Sequence, residues 1–288
     1  MKTAEICIPC MLRNLRRIAE RVTQDEAQRE QIEFQVKEML KTADTDRPPP
    51  YLAKGIQRIM REISGNADPY RREKEHFNAL AMEHYPRMAK MVERSVDPFD
   101  TALRISLAGN IIDVGVGAEI HMLETLDEVL QCELSIDHTQ RLRAAIQGEQ
   151  RLLFLGDNAG ETVMDRVFLE RIASQIEISY AVRGAPVLND ATLEDAQFAG
   201  IDRFARVIDN GSDAPGVILE DCSAEFCREF DKAELIVAKG MGNFETLNDC
   251  RDKRIFFVFL VKCELVAEDI GVPVGGKVVV EKPAGEIL

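Results

Sequence analysis

The chain has 288 residues, of which 45% are hydrophobic and 30% charged, and it carries a formal net charge of −14. That length can build one large domain or two smaller ones around an ample core, and the acidic balance excludes a general nucleic-acid binder, which needs a basic face. No apolar run approaches membrane-spanning length, and Arg13, Arg16 and Arg17 interrupt the start too early for a signal peptide, so a cytoplasmic protein with no membrane partner is expected.

From Ile8 to about Glu93 the apolar residues recur at helical spacing and no strand stands out. Leu12, Leu15, Ile18, Ala19 and Val22 form one stripe; Ile32, Val36, Met39 and Leu40 a second; Leu52, Ile56, Ile59, Met60 and Ile63 a third. Pro48-Pro49-Pro50 separates two of these helices and starts the next. Asp68-Pro69 opens a further helix carrying Phe77, Leu80, Ala81, Met88 and Met91, whose methionines read as core. Residues 1–97 are therefore expected to form a helical bundle, and residues 98–288 a separate α/β unit.

The α/β unit begins with an apolar helix from Ala102 that ends by presenting Asn110 and Asp113 beside Gly109, Gly115 and Gly117. Those residues suit either a helix C-terminus or the wall of a cleft. The buried-strand run Leu152–Leu155 then leads into Gly156-Asp157-Asn158-Ala159-Gly160-Glu161 and a helical pattern through Ile172. Asn158 can cap that helix with Gly160 easing the turn; alternatively Asp157, Asn158 and helix-start N–H groups can hold a cation and a phosphate. The same layout recurs three times. Ile176–Val182 precedes Arg183-Gly184-Ala185-Pro186 and Asn189-Asp190, Arg206–Ile208 precedes the segment 209–216, and Leu235–Ala238 precedes Lys239-Gly240-Met241-Gly242-Asn243-Phe244-Glu245. Strands alternating with helices imply a mostly parallel sheet whose loops gather on one edge, where open α/β sheets bind ligands. Ile255–Val261 reads as another buried strand, and 265–267 and 277–281 as the last helix and strand.

Seven cysteines without regular spacing do not make a disulfide framework. Cys7 and Cys10 form a single CxxC, which can bind zinc, cycle as a dithiol or ligate a cluster if a distant cysteine such as Cys263 joins it. The four histidines share no metal-binding spacing, and His76 and His84 fit a solvated helix face.

The motifs GDNAGE at 156–161, RGxPxLND at 183–190, NGSDAPG at 210–216 and KGxGNFE at 239–245 resemble those of the damage-control phosphatases, formerly domain of unknown function 89. Gly109–Asp113 and the pair Lys262-Cys263 add to a resemblance that spans about residues 5–280, and the CxxC is similar to that of the family's prokaryotic subgroup. The resemblance implies a three-layer α/β/α fold with an extra helical region. It also implies a divalent-metal-dependent phosphatase acting on small phosphorylated metabolites, such as sugar phosphates or damaged phosphometabolites. By that likeness Asp157, Asn158 and Asp190 are metal ligands, Lys239 and Asn243 contact phosphate, and Asn110, Asp113 and Glu161 serve substrate or support the ligands.

Two carboxylates and one amide are hard oxygen donors suited to Mg²⁺ or Mn²⁺, with Co²⁺ or Ni²⁺ able to take the same place. The expected reaction is direct attack by metal-activated water. Lys239 and N–H groups near Gly160 and Gly240 would neutralise the phosphoryl oxygens, and Asp157 or Asp190 would take a proton. The competing mechanism is an aspartyl-phosphate on Asp157, although a haloacid-dehalogenase pattern would place an acid where Ala159 stands. Two other classes are a redox or metal-handling protein built on Cys7 and Cys10, and a non-catalytic phosphometabolite binder. A homo-oligomer is compatible with any of these.

Overall fold

In a computed structural model describing residues 1–110 and 118–286, the chain up to Arg94 forms four helices. These are α1 (Cys7–Val22), α2 (Glu26–Lys41), α3 (Pro49–Ser64) and α4 (Arg71–Arg94). Asp25 caps α2 by accepting from the N–H groups of Ala27 and Gln28. Pro49 and Pro50 occupy the first turn of α3, where a missing N–H costs no helical hydrogen bond. The three apolar stripes read from sequence meet in one cluster that includes Leu15, Ala19, Ile32, Val36, Leu52 and Met60. The next helix turns its buried side, with Phe77, Leu80 and Met88, toward a different core.

Two helices follow, α5 (Pro98–Gly109) and α6 (Ala118–Gln131), the first capped by Asp97. The remaining elements alternate: β1 (Ile136–Asp137), α7 (Thr139–Gly148), β2 (Arg151–Leu155), α8 (Glu161–Ile172), β3 (Glu177–Val182), α9 (Leu193–Ala199), β4 (Arg206–Asp209), α10 (Ala224–Lys232), β5 (Leu235–Lys239), α11 (Met241–Leu247), β6 (Ile255–Leu260), α12 (Glu264–Ile270) and β7 (Lys277–Lys282). The seven strands form one sheet in the order β1-β7-β6-β5-β2-β3-β4. All neighbours run parallel except β6 and β7.

Side chains alternate across each strand, and both faces are covered. Leu152, Phe154, Tyr180, Val237 and Phe256 face the core shared with α4, α5, α7 and α8. Leu153, Leu155, Ile236, Ala238 and Phe257 face Phe226 and Phe230 of α10 and Phe244 of α11. This is the three-layer arrangement expected from the sequence. The two-residue β1 carries too little periodicity to show in the sequence, and the antiparallel sense of β7 is set by its pairing along the whole of β6.

The order of the strands fixes the site. From β2 the chain steps outward to β3 and β4, then returns to β5 on the other side of β2 and continues to β6. The loops after β2 and β5 diverge at this switch point, leaving a crevice at the carboxyl edge of the sheet. Among the described residues no helix is long and apolar enough to cross a membrane.

Candidate functional site

The loop after β2 is zipped to the segment after β3. Ala159 N donates to Asn189 O (2.9 Å) and Ala191 N to Asp157 O (2.8 Å), making an isolated antiparallel bridge between Asn158 and Asp190. Just before this bridge Leu188 adopts φ of 48°, the single positive φ outside glycine among the described residues. For a branched side chain this is a strained turn, and it sets Asn189 and Asp190 against the first loop.

The bridge brings Asp157, Asn158 and Asp190 together. Asp157 Oδ2 accepts from Asn110 Nδ2 (2.9 Å) and from Asn158 Nδ2 (3.0 Å). The same two amides donate to Glu161 Oε1, at 3.2 Å from Asn110 and 2.7 Å from Asn158. Asn110 lies at the C-cap of α5 and also accepts from Leu260 N, so it joins the helix end to the cleft. Asn158 does not cap α8; the residue at that N-cap is Gly160, which supplies no side chain. Asp113 lies outside the described residues.

Arg183, buried to 2% exposure, is the residue that orders the carboxylates. Its Nε donates to Asp190 Oδ2 (2.6 Å), its Nη2 lies 3.5 Å from Asp157 Oδ1, and its Nη1 donates to Asn243 Oδ1 (3.3 Å). Asn243 in turn donates to Lys239 O (2.7 Å). A guanidinium fork can hold several oxygens in one plane, which an ammonium cannot. The sequence shows Arg183 inside a motif, but nothing in it singles out this role.

Lys239 is held from three sides. Its fully buried ammonium donates to Ser106 O (2.8 Å) and pairs with Asp165 (2.7 Å) and Glu161 (3.3 Å). Three donors meet three acceptors, so in the chain by itself Lys239 compensates buried negative charge behind the cleft. Asp165 also accepts from Ser106 Oγ (2.6 Å) and from the Tyr180 hydroxyl (2.8 Å). The N–H groups expected to face phosphate are engaged as well: Gly160 N donates to Asn78 Oδ1 (2.6 Å), and Gly240 N to Val258 O (3.1 Å). Asn78 comes from α4 and reads in the sequence as one polar residue in a charged helix. At Gly240 the constraint is steric, because φ is +79° and a Cβ would fall inside the Asp157 carboxylate.

One helix fastens the loops from outside. Arg58 and Arg61 of α3 both pair with Asp213, and Arg61 also donates to Pro186 O. Burial pushes the Asp213 carboxyl up, but the two arginines hold it below the usual carboxylate range.

Charge at the centre is unbalanced. Asp157, Glu161, Asp165 and Asp190 are met by Arg183 and Lys239, leaving negative charge in excess. Burial and the neighbouring Asp190 push Asp157 up to about 6. Burial, with Asp157 and Asp165 adding to it against Lys239, pushes Glu161 up to about 7. Burial likewise raises Asp190 against the opposing charge of Arg183. Exposed Lys262 adds a positive charge that favours ionised Asp157. Oxygen donors with surplus negative charge suit a hard divalent cation. Among the described residues no three acidic, histidine or cysteine side chains make a ready ligand triad; a set of two carboxylates and one amide contains only two such groups.

Fold, motif order and site converge on one class of protein. The family described as damage-control phosphatase ARMT1-like domain matches residues 3–278, and the chain belongs to that family. Its relatives extend over nearly the whole chain. It is 37% identical to a damage-control phosphatase of Archaeoglobus fulgidus, covering 96% of this chain and 98% of that protein. It is 33% identical to a damage-control phosphatase of Pyrococcus horikoshii, covering 96% and 97%. An uncharacterized protein of Methanocaldococcus jannaschii is 36% identical over 96% of this chain and 94% of its own length. The crystal structure of a DUF89 family protein from Pyrococcus horikoshii superposes with a TM-score of 0.89 at 31% identity, covering 98% of this chain and all of that one.

Proposed function

We propose that this protein is a divalent-metal-dependent phosphatase that hydrolyses phosphomonoesters of small metabolites in the cytoplasm. The observation that carries the reading is the Asn158–Asp190 bridge, which places Asp157, Asn158 and Asp190 together in a pocket of surplus negative charge. The names of the relatives from Archaeoglobus and Pyrococcus support the phosphatase class.

Asp157, Asn158 and Asp190 would hold the cation, with Mg²⁺, Mn²⁺, Co²⁺ and Ni²⁺ as candidates. When bound, such a cation withdraws charge from a phosphoryl group and makes water nucleophilic at neutral pH. The chain's own residues do the rest. Arg183 keeps Asp157 and Asp190 in fixed orientation, and Asn110 holds Asp157 and Glu161 together. Buried Lys239 pairs with Glu161 and Asp165 and offsets their charge beside the cleft. Lys262, exposed on the loop after β6 and close enough for its charge to act on Asp157, would supply a cation to phosphoryl oxygens. Residues 1–97 would cover the site and residues 98–288 would build it.

The cysteine-centred reading draws on one observation, that Cys7, Cys10 and Cys263 border a common cavity. Burial raises the Cys7 and Cys263 thiols, which keeps them protonated and poor nucleophiles, so the phosphatase reading is preferred.

The test is phosphate release from p-nitrophenyl phosphate and a sugar-phosphate panel by chelated protein resupplied with each metal. Turnover restored by metal and abolished by Asp157→Ala and by Asp190→Ala is expected. Folded protein that releases no phosphate with any metal would overturn the proposal, and an acyl-phosphate trapped on Asp157 would replace direct attack by water.

A further inference from the structure

One cavity of about 650 Å³ lies between the helical region and the carboxyl edge of the sheet. Its inner wall is made by the loops of the candidate site, through Leu188, Met241 and Lys262; its outer wall is made by α1 and α3, through Met11, Ile18 and Ala53. The volume falls within the range of pockets that enclose ligands of drug size. Most of the exposed wall is apolar, with thioethers and thiols giving it a soft, adaptable surface, while Arg13, Asn14, Gln57, Glu245 and Glu264 supply its other polar groups.

Three features tie this space to the cleft beside it. Leu188, held at φ of 48°, lines the cavity two residues before Asp190. Lys262 lines it too, and its charge is felt by Asp157. Met241 follows Gly240 directly, at the end of the strand that carries Lys239. A phosphate held at Asp157 and Lys262 would therefore lie beside this chamber.

Resting on the phosphatase reading above, we infer that this cavity receives the alcohol portion of the substrate, and that this portion has an extended apolar body. A compact sugar would set several hydroxyls against the apolar part of this wall, and each one buried there without a partner weakens binding on the order of tenfold. Each methylene moved from water into such a wall strengthens binding by about fourfold. The chamber thus selects phosphomonoesters of long or bulky apolar alcohols over those of compact polyols.

The experiment uses n-alkylphosphonates, which cannot be hydrolysed, so binding is read without turnover. Methyl- through octylphosphonate are titrated by calorimetry into full-length protein supplied with Mg²⁺, beside the matching n-alkyl alcohols. Affinity for the phosphonates should rise severalfold per methylene and then level off, and each should bind more tightly than its alcohol. Ala53→Phe fills the outer wall away from the ligand loops; it should leave methylphosphonate binding unchanged and move the plateau to shorter chains. Met11→Gln, a milder change in the same wall, should flatten the rise if the phenylalanine disturbs folding. Occupancy should also slow alkylation of exposed Cys10, which borders the cavity.

Phosphonate affinity independent of chain length overturns the inference while leaving the phosphatase reading intact. A rise that is equal for alcohols and phosphonates shows a chamber unconnected to the phosphate site, and overturns it as well. Chain-length-dependent phosphonate binding in a protein that releases no phosphate would uphold the chamber and refute the activity.

Discussion

Asn158 and Asp190 face each other across a single antiparallel bridge, flanked by hydrogen bonds of 2.8 and 2.9 Å that join two loops of one parallel sheet. Parallel strands leave their loops separate; this bridge makes the two loops one unit, so a carboxylate from each can share a ligand. Arg183 then fixes the carboxylates themselves.

That arrangement gives Arg183 a role distinct from its charge. Arg183→Lys keeps the positive charge but loses the fork that reaches Asp190, Asp157 and Asn243 together. Turnover is expected to fall by about 10- to 100-fold, as when partners of metal ligands are altered, in protein whose circular dichroism is unchanged. Full activity in the lysine variant would remove the orienting role.

Lys239→Met leaves Glu161 and Asp165 buried without their cation. Breaking such a pair costs about 3–5 kcal/mol, measurable by urea unfolding. Lys239→Met combined with Asp165→Asn is expected to recover part of that loss, because one stranded charge is removed. If the single variant unfolds like wild type and loses only turnover, the ammonium serves the phosphate directly and the compensating role is wrong.

The buried carboxylates also set a pH dependence. Asp157 at about 6, and Glu161 and Glu245 at about 7, are raised first of all by burial. Carboxyls raised in the folded state bind more protons there than when unfolded, so stability falls as pH rises. The loss begins near the unfolded values of about 4 and is complete above the folded values of about 7. Metal-free protein should therefore resist urea better at about pH 5 than at about pH 8. Saturating Mn²⁺ favours the ionised forms and should flatten or invert that slope. A metal-free protein that is instead more stable at the higher pH would contradict the excess of buried negative charge.

Gly240→Ala tests the close approach of β5 to Asp157. The added Cβ needs the Asp157 carboxylate to move, and φ of +79° is unfavourable for alanine. Strain of about 1–3 kcal/mol is expected, with a larger fractional loss of metal affinity than of stability. Equal metal affinity in calorimetric titrations of the two proteins would show that Asp157 is not a ligand.

Elements whose pattern is local were legible. The runs Leu152–Leu155 and Leu235–Ala238, each ending in glycine and polar residues, mark strand ends because burial on both faces demands continuous apolar residues. The triplet of prolines and the helical stripes marked the N-terminal helices for the same reason, a period visible within one or two turns. Less could be read of partners distant in sequence. Lys239 was visible as a cation in a motif, yet its acceptors come from Ser106 on α5 and Glu161 and Asp165 on α8. Asn78 showed no signal because its meaning lies in the Gly160 N–H it accepts from.

The sequence by itself determined the alternation of strands and helices, the acidic loops at the strand ends and the family to which they belong. These follow from side-chain period and turn chemistry, which act over a few residues. Only the tertiary structure decided that the loops after β2 and β3 are bridged, that Lys239 is engaged behind the cleft, and that α1 and α3 enclose a chamber against the site. Those outcomes depend on strand order and on the packing of helices across the sheet edge, where the energy of each contact belongs to residues far apart in the chain.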